Sequence, residues 1–227
     1  MNVKENIEAV QARICGAAKS AGRNADEITM IAVTKTVDAE IAGQVLDAGV
    51  CHLGENRVQA FLDKYEVLGD RPHWHIIGHL QTNKVKYLTG KVDLIHSVDS
   101  VHLAEEINKK AKDAGMCQDI LFQFNISGEE SKSGAGENEA EEIFTKLSAL
   151  QNIRVRGLMT MAPLWASSDE TRRVFEGLRK LSDKIRIIGF DGVSMDYLSM
   201  GMSGDFEAAI MEGANLVRIG SALFKDI

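Results

Sequence analysis

The sequence predicts an α/β chain closed into a single-domain (β/α)8 TIM barrel, with one helix preceding the first strand. Three observations predict it. Short apolar runs recur eight times, and between them stand polar or glycine-containing turns and amphipathic stretches, several of which close on glycine. Several of these runs are continuously apolar, as expected of parallel strands covered on both faces. The length, 227 residues, suits one such barrel, and no low-complexity tract, proline-rich linker or shift of composition divides it. A doubly wound open sheet is the alternative that the same alternation allows.

Taken in order, residues 3–21 carry a helical pattern ahead of the first strand. Strands are expected at 28–34, 50–54, 74–78, 94–98, 120–126, 155–161, 197–200 and 216–220. Asp38 opens a helix that stops before Gly49, and Asp99 with Ser100 opens one that stops before Gly115. A short polar side chain accepts from the first free N–H groups of a helix, and glycine leaves it at low cost. Ser167 and Glu170 form a capping box ahead of a helix bearing Val174, Leu178 and Leu181. Residues 185–196 fit neither class. Residues 221–227 are too few for a covering helix after the last strand, so the leading helix is expected to cover the gap there.

Composition narrows the function. Lys+Arg number 26 and Asp+Glu 33, a net charge of −7, which leaves no basic footprint for nucleic acid but does not preclude a local basic pocket for a small anion. Cys15, Cys51 and Cys117 lie far apart without CxxC spacing, which supports neither a zinc knuckle nor a disulfide framework and points to a reducing compartment. The stretch MNVKENIEAVQARICGAAKSAG carries charges every few residues and lacks the apolar core of a signal peptide or membrane span. The expectation is a cytoplasmic protein with neither a membrane nor a nucleic-acid partner.

In such a barrel, chemistry sits where the strands end. Lys35 follows strand one, Glu55 and Asn56 strand two, Gly78 and His79 strand three, and Arg218, Gly220 and Ser221 strand eight. Coming after an apolar run, Lys35 is expected to be partly desolvated and to offer its amine as a nucleophile for a Schiff base; a lysine snorkelling to solvent is the alternative. Two glycine-containing turns after strands seven and eight make Ser199, Met200, Gly201, Gly220 and Ser221 a candidate phosphate cradle, with Asp205 a helix cap behind it. Plain tight turns would read the same way. Arg218, in an apolar run, needs a fixed acceptor, either a structural carboxylate or the ring nitrogen of a cofactor. A lysine for an aldehyde, a cradle for a phosphate and a cation for a pyridine nitrogen are the separate needs of pyridoxal phosphate.

Other features carry less. His73, His75 and His79 crowd strand three without HExxH spacing, so a structural role is expected and no metal site. Trp74, Trp165 and the methionines of 159–161 read as core or pocket wall. Loop 127–136 reads as a solvated turn or a lid containing Lys132, and both Lys84 and Lys132 read as solvated lysines in preference to second docking points for the cofactor.

The motifs IAVTKT around Lys35, LGENRVQ around Asn56, WHIIGHLQTNK, NISGEESKSG, GLMTMAP, LSMGMSGDFEAAI and VRIGSALF occur in that order. With them the chain resembles, end to end, the pyridoxal phosphate homeostasis proteins, the YggS-like family. The resemblance implies a barrel similar to the N-terminal domain of alanine racemase, without that enzyme's second domain. It implies that Lys35 forms a Schiff base with pyridoxal 5′-phosphate, that Ser199, Gly220 and Ser221 face the phosphate, and that Arg218 faces the pyridine nitrogen, with Asn56, Met200 and Gly201 in the same site. Two departures are visible: Val37 and Asp38 follow KT where proline is common, and FKDI closes the chain where glycine usually follows the phenylalanine. The first leaves Lys35 intact, and the second bears on the turn that holds Ser221.

The function expected is a monomeric binding protein that holds the cofactor on Lys35 and releases or transfers it to apoenzymes, with no catalytic residue. An arginine beside the ring nitrogen keeps it unprotonated and weakens the ring as an electron sink. The alternative is an enzyme that uses Lys35: a reduced amino-acid racemase, which lacks an obvious second acid or base, or a Schiff-base aldolase.

Overall fold

The computed structural model describes residues 2–129 and 134–225. Eight parallel strands close on themselves in chain order. They are β1 (Thr29–Val33), β2 (His52–Glu55), β3 (His73–Ile76), β4 (Leu94–Val98), β5 (Gln118–Gln123), β6 (Ile153–Met159), β7 (Val193–Met202) and β8 (Leu216–Ile219). Pairing of β8 with β1, from Thr29 opposite Leu216 to Ala32 opposite Ile219, closes the ring and excludes the open sheet. Around it run α1 (Val3–Ser20), α2 (Ala39–Asp47), α3 (Val58–Leu68), α4 (Val101–Asp113), α5 (Ala140–Leu147), α6 (Ser168–Ile188) and α7 (Phe206–Met211). A 3-10 turn, Thr82–Tyr87, takes the place of a helix after β3.

The helix starts follow the expected chemistry. Asp38 accepts from Ile41 N at 2.9 Å, Ser100 from Leu103 N at 3.3 Å, and Ser167 with Glu170 closes the capping box of α6. Residues 185–196 divide between two elements: α6 runs to Ile188, Gly189 leaves it at φ 71°, and β7 begins at Val193. Their pattern is mixed because Ile187 and Ile188 lie on the solvent side of the last helical turn.

Two apolar layers result from the period of two along each strand. Ile31, Leu94, Leu121, Met159 and Leu216 meet inside the barrel. The other face of the strands, including Trp74, Ile76 and Phe122, packs against the helices. The leading helix α1 lies against α7 and α2, which flank the β8–β1 junction, and buries Val3, Ile7, Val10 and Ile14 there. Its Asn6 Nδ2 donates to the carbonyls of Leu223 and Lys225 at 2.9 and 3.3 Å, tying down the short segment that follows β8. Among the described residues no helix is long and apolar enough to cross a membrane.

Candidate functional site

At the C-terminal ends of the strands the barrel opens into a cavity of about 860 Å³. Ring order places β7, β8, β1 and β2 side by side, so residues distant in sequence share one arc of its wall. Lys35, Asn56, Arg218, Gly220 and Ser221 all line it. Ser199, Met200 and Gly201 do not: all three are buried within β7. The strand runs to Met202, beyond the end its apolar run suggested, and the turn therefore starts later. Ser203, Gly204 and Asp205 hold the rim positions in their place.

Lys35 corrects one expectation. It is exposed, not partly desolvated, because β1 ends at Val33 and Thr34 is the last covered residue before the turn. Beneath it lies a buried ion pair that the sequence reading missed. Lys64 Nζ, on the inner face of α3, donates to Glu55 Oε1 at 2.7 Å and to Thr34 O at 3.0 Å. The Thr34 hydroxyl donates to the same carboxylate oxygen at 2.5 Å. Three contacts fix the ends of β1 and β2, and so the base from which Lys35 and Asn56 rise. The available signal was Lys64 falling at apolar spacing between Phe61 and Leu68. Gly78, at the end of β3, backs onto Asn56 so closely that a Cβ would strike the Asn56 carbonyl oxygen.

On the β7–β8 side, Ser203 Oγ accepts from Gly220 N and Ala222 N, both at 3.2 Å, which joins the two turns. Asp205 occupies the position before α7, but its carboxylate turns back to accept from Met202 N at 2.5 Å and caps no helical N–H. Burial raises its carboxyl above the ordinary range, opposed by the Met202 hydrogen bond and by the charge of Arg218.

Arg218 is 3% exposed. Its hydrogen bonds among the described residues run to neutral acceptors: Nη1 donates to Ser199 Oγ at 2.6 Å and Nη2 to Thr160 O at 3.0 Å. Burial lowers the guanidinium to about 10, and Asp205 opposes that fall. A guanidinium has five N–H donors, so these two bonds leave donors over for a ligand in the cavity. Of the histidines around β3, His75 is buried inside the barrel, whereas His73 and His79 are exposed beside Asp93 and Asp99. Among the described residues no cluster of His, Cys, Asp and Glu could hold a metal ion. Lys84 Nζ sits 5.7 Å over the Tyr87 ring, while Lys132 and part of loop 127–136 lie outside the described residues.

The alanine racemase N-terminal domain family matches residues 2–227. A pyridoxal phosphate homeostasis protein of Aquifex aeolicus is 45% identical over 225 residues, spanning 99% of this chain and 98% of its own. This chain belongs to the pyridoxal phosphate homeostasis protein family. PipY of Synechococcus elongatus PCC7942, a structure solved with PLP bound, superposes with a TM-score of 0.87 at 31% identity, covering 98% of this chain and 100% of PipY. An alanine racemase of Clostridium difficile 630 shares the fold with a TM-score of 0.76 at 22% identity; this family member matches it over 98% of its own length but 56% of the racemase.

Proposed function

We propose that this chain binds pyridoxal 5′-phosphate in the barrel-mouth cavity through Lys35, and that it acts as a monomeric carrier of the cofactor in the cytoplasm, passing it to apoenzymes without strong catalysis of its own. The observation that carries the reading is Arg218: a buried cation with neutral described partners, lining the same cavity as an exposed lysine. The residues present fit the group. Lys35 supplies an amine, and the hydroxyls of Ser203 and Ser221, with the backbone N–H of Gly204, supply short-range donors for a phosphate. The names of the Aquifex relative and of the loaded PipY structure support the same ligand.

When bound, the cofactor supplies an aldehyde that bonds an amine and a ring that withdraws electrons from it. Arg218 bears on how strongly that ring works. A guanidinium donates only, so beside a ring nitrogen it supports the unprotonated form, the weaker electron sink. Ser199 and Thr160 hold Arg218 from behind, and the Glu55–Lys64–Thr34 contacts hold the turn that carries Lys35. This arrangement favours a carrier over the reduced racemase or the aldolase.

The test is direct. Protein incubated with pyridoxal 5′-phosphate is expected to gain a near-visible absorption band and, after borohydride reduction, a mass adduct on the peptide containing Lys35. Lys35→Ala is expected to lose both. An adduct on Lys84 or Lys132 alone would refute the assignment, and amino-acid racemisation that disappears in Lys35→Ala would refute the carrier role.

A further inference from the structure

A line of hydrogen bonds crosses the barrel interior behind Arg218. His96 Nδ1 lies 2.8 Å from Ser199 Oγ, His75 Nδ1 lies 2.9 Å from His96 Nε2, and His52 Nδ1 lies 2.9 Å from His75 Nε2. Strand parity puts these polar groups there: Arg218 follows Leu216 by two positions and His96 follows Leu94 by two, and both leucines belong to the inner layer. His52 opens β2 and is half-buried, so the line runs from the cavity wall to the opposite mouth of the barrel. The cofactor site uses only its last member, Arg218.

Its polarity follows from the donor inventory. Arg218 only donates, so Ser199 Oγ accepts from it, and the Ser199 hydroxyl hydrogen has His96 Nδ1 as its acceptor. His96 then carries its proton on Nε2 and donates to His75 Nδ1. His75 in turn donates from Nε2 to His52 Nδ1, and the His52 Nε2–H ends the line near solvent. In the opposite order the serine hydrogen has no acceptor among these groups, and every imidazole turns its N–H end towards the guanidinium. We propose that His52, His75 and His96 form a unidirectional chain of neutral imidazoles that solvates and orients the buried Arg218 guanidinium where a directly bonded carboxylate would otherwise stand, making the three histidines positioning residues for the ring-nitrogen contact.

The surroundings agree. Burial first, then neighbouring imidazoles, lowers His75 to about 3, and burial with His75 and Arg218 holds His96 well below its ordinary value. At the far end burial and His73, stacked at 4.7 Å, lower His52, while Asp93 opposes them. At the near end the carboxylate whose charge acts on Arg218 is Asp205. Each lone pair in the line faces Arg218 and each N–H faces away, so three dipoles add head to tail.

The polarity stands on its own, whereas its use at the ring nitrogen rests on the function proposed above, and one experiment separates them. Long-range ¹H–¹⁵N NMR of histidine-labelled protein, without cofactor and after loading, reports the tautomer of each imidazole. The expected result is Nε2–H for His75 and His96, without titration between about pH 5 and pH 8. An Nδ1–H tautomer at either residue, or titration near the ordinary value, would overturn the chain in the wild type, whether or not any variant folds. Ser199→Ala removes the link to Arg218 and is expected to bring the Nδ1–H form of His96 into the spectrum. It is also expected to weaken pyridoxal phosphate binding about tenfold and to move the absorption maximum. An unchanged affinity and spectrum would overturn the positioning role alone. Failure of the wild type to bind the cofactor would overturn the proposed function and leave the tautomers as evidence for the polarity.

Discussion

Polar residues inside an apolar barrel survive only where each finds a partner or stays uncharged. Glu55 and Lys64 take the first course as an ion pair, although among the described residues Glu55 Oε2 is buried without a hydrogen bond. His75 and His96 take the second, and that choice has a pH signature. The ordinary value for His75 is 6.5 and the folded value about 3, so between those limits the unfolded chain binds a proton that the folded chain does not. Stability is therefore full above pH 6.5 and is lost as the pH falls through it, at about 1.4 kcal/mol per pH unit for one such group. His96 shifts in the same direction. The raised carboxyl of Asp205 acts with the opposite sign, which makes a comparison between variants the cleaner measurement. Urea unfolding from pH 6 to pH 4.5 is expected to give a stability slope for His75→Gln that is shallower than the wild type by about 1.4 kcal/mol per pH unit. Parallel slopes would mean that His75 is protonated in the folded barrel.

Among the elements, those with strong periodicity were the legible ones. The strands β1, β4 and β8 read directly as apolar runs because helices cover one of their faces and the inner layer the other. α1 was legible as a helix ahead of β1 because Val3, Ile7, Val10 and Ile14 recur at helical spacing. β7 was read too short: only its middle is apolar, while Asp196 pairs with Arg156 at the surface and Ser199 with Arg218 inside. That error moved the rim turn, so Ser199 to Gly201 were named where Ser203 to Asp205 stand. The imidazole line was illegible for a different reason. His52, His75, His96 and Ser199 sit on four strands, and the pairing between strands, not local spacing, makes them neighbours. The cover supplied by α1 has a measurable worth. Ile7 is 1% exposed and faces the barrel, so Ile7→Ala is expected to cost about 2–5 kcal/mol in chemical denaturation. Its solvent-facing neighbour changed in the same way, Glu8→Ala, is expected to stay within about 0.5 kcal/mol. Equal effects would show that α1 is not part of the cooperative unit.

At the scale of the whole molecule, the site exists only because the ring closes. Lys35 follows the first strand and Gly220 and Ser221 the last, and they meet because Ile31 lies opposite Arg218 across the β1–β8 pairing. A ligand that engages both sides bridges this junction from the cavity, while α1 covers it from outside. Unfolding opens the junction and separates the two halves of the site, so the ligand binds the closed barrel and not the open chain. At a free concentration of about 100 times Kd, such a ligand adds about 2.7 kcal/mol to stability. For a chain of this size that corresponds to a rise in Tm of roughly 5–10 °C. Pyridoxal 5′-phosphate is therefore expected to raise the melting temperature by that amount. Pyridoxal and inorganic phosphate, each able to engage only one side, should raise it by much less at equal concentration. Lys35→Ala should retain the phosphate effect and lose most of the remainder. If both fragments together but unlinked matched the whole cofactor, the two sides would be independent pockets, and ring closure would contribute nothing to binding.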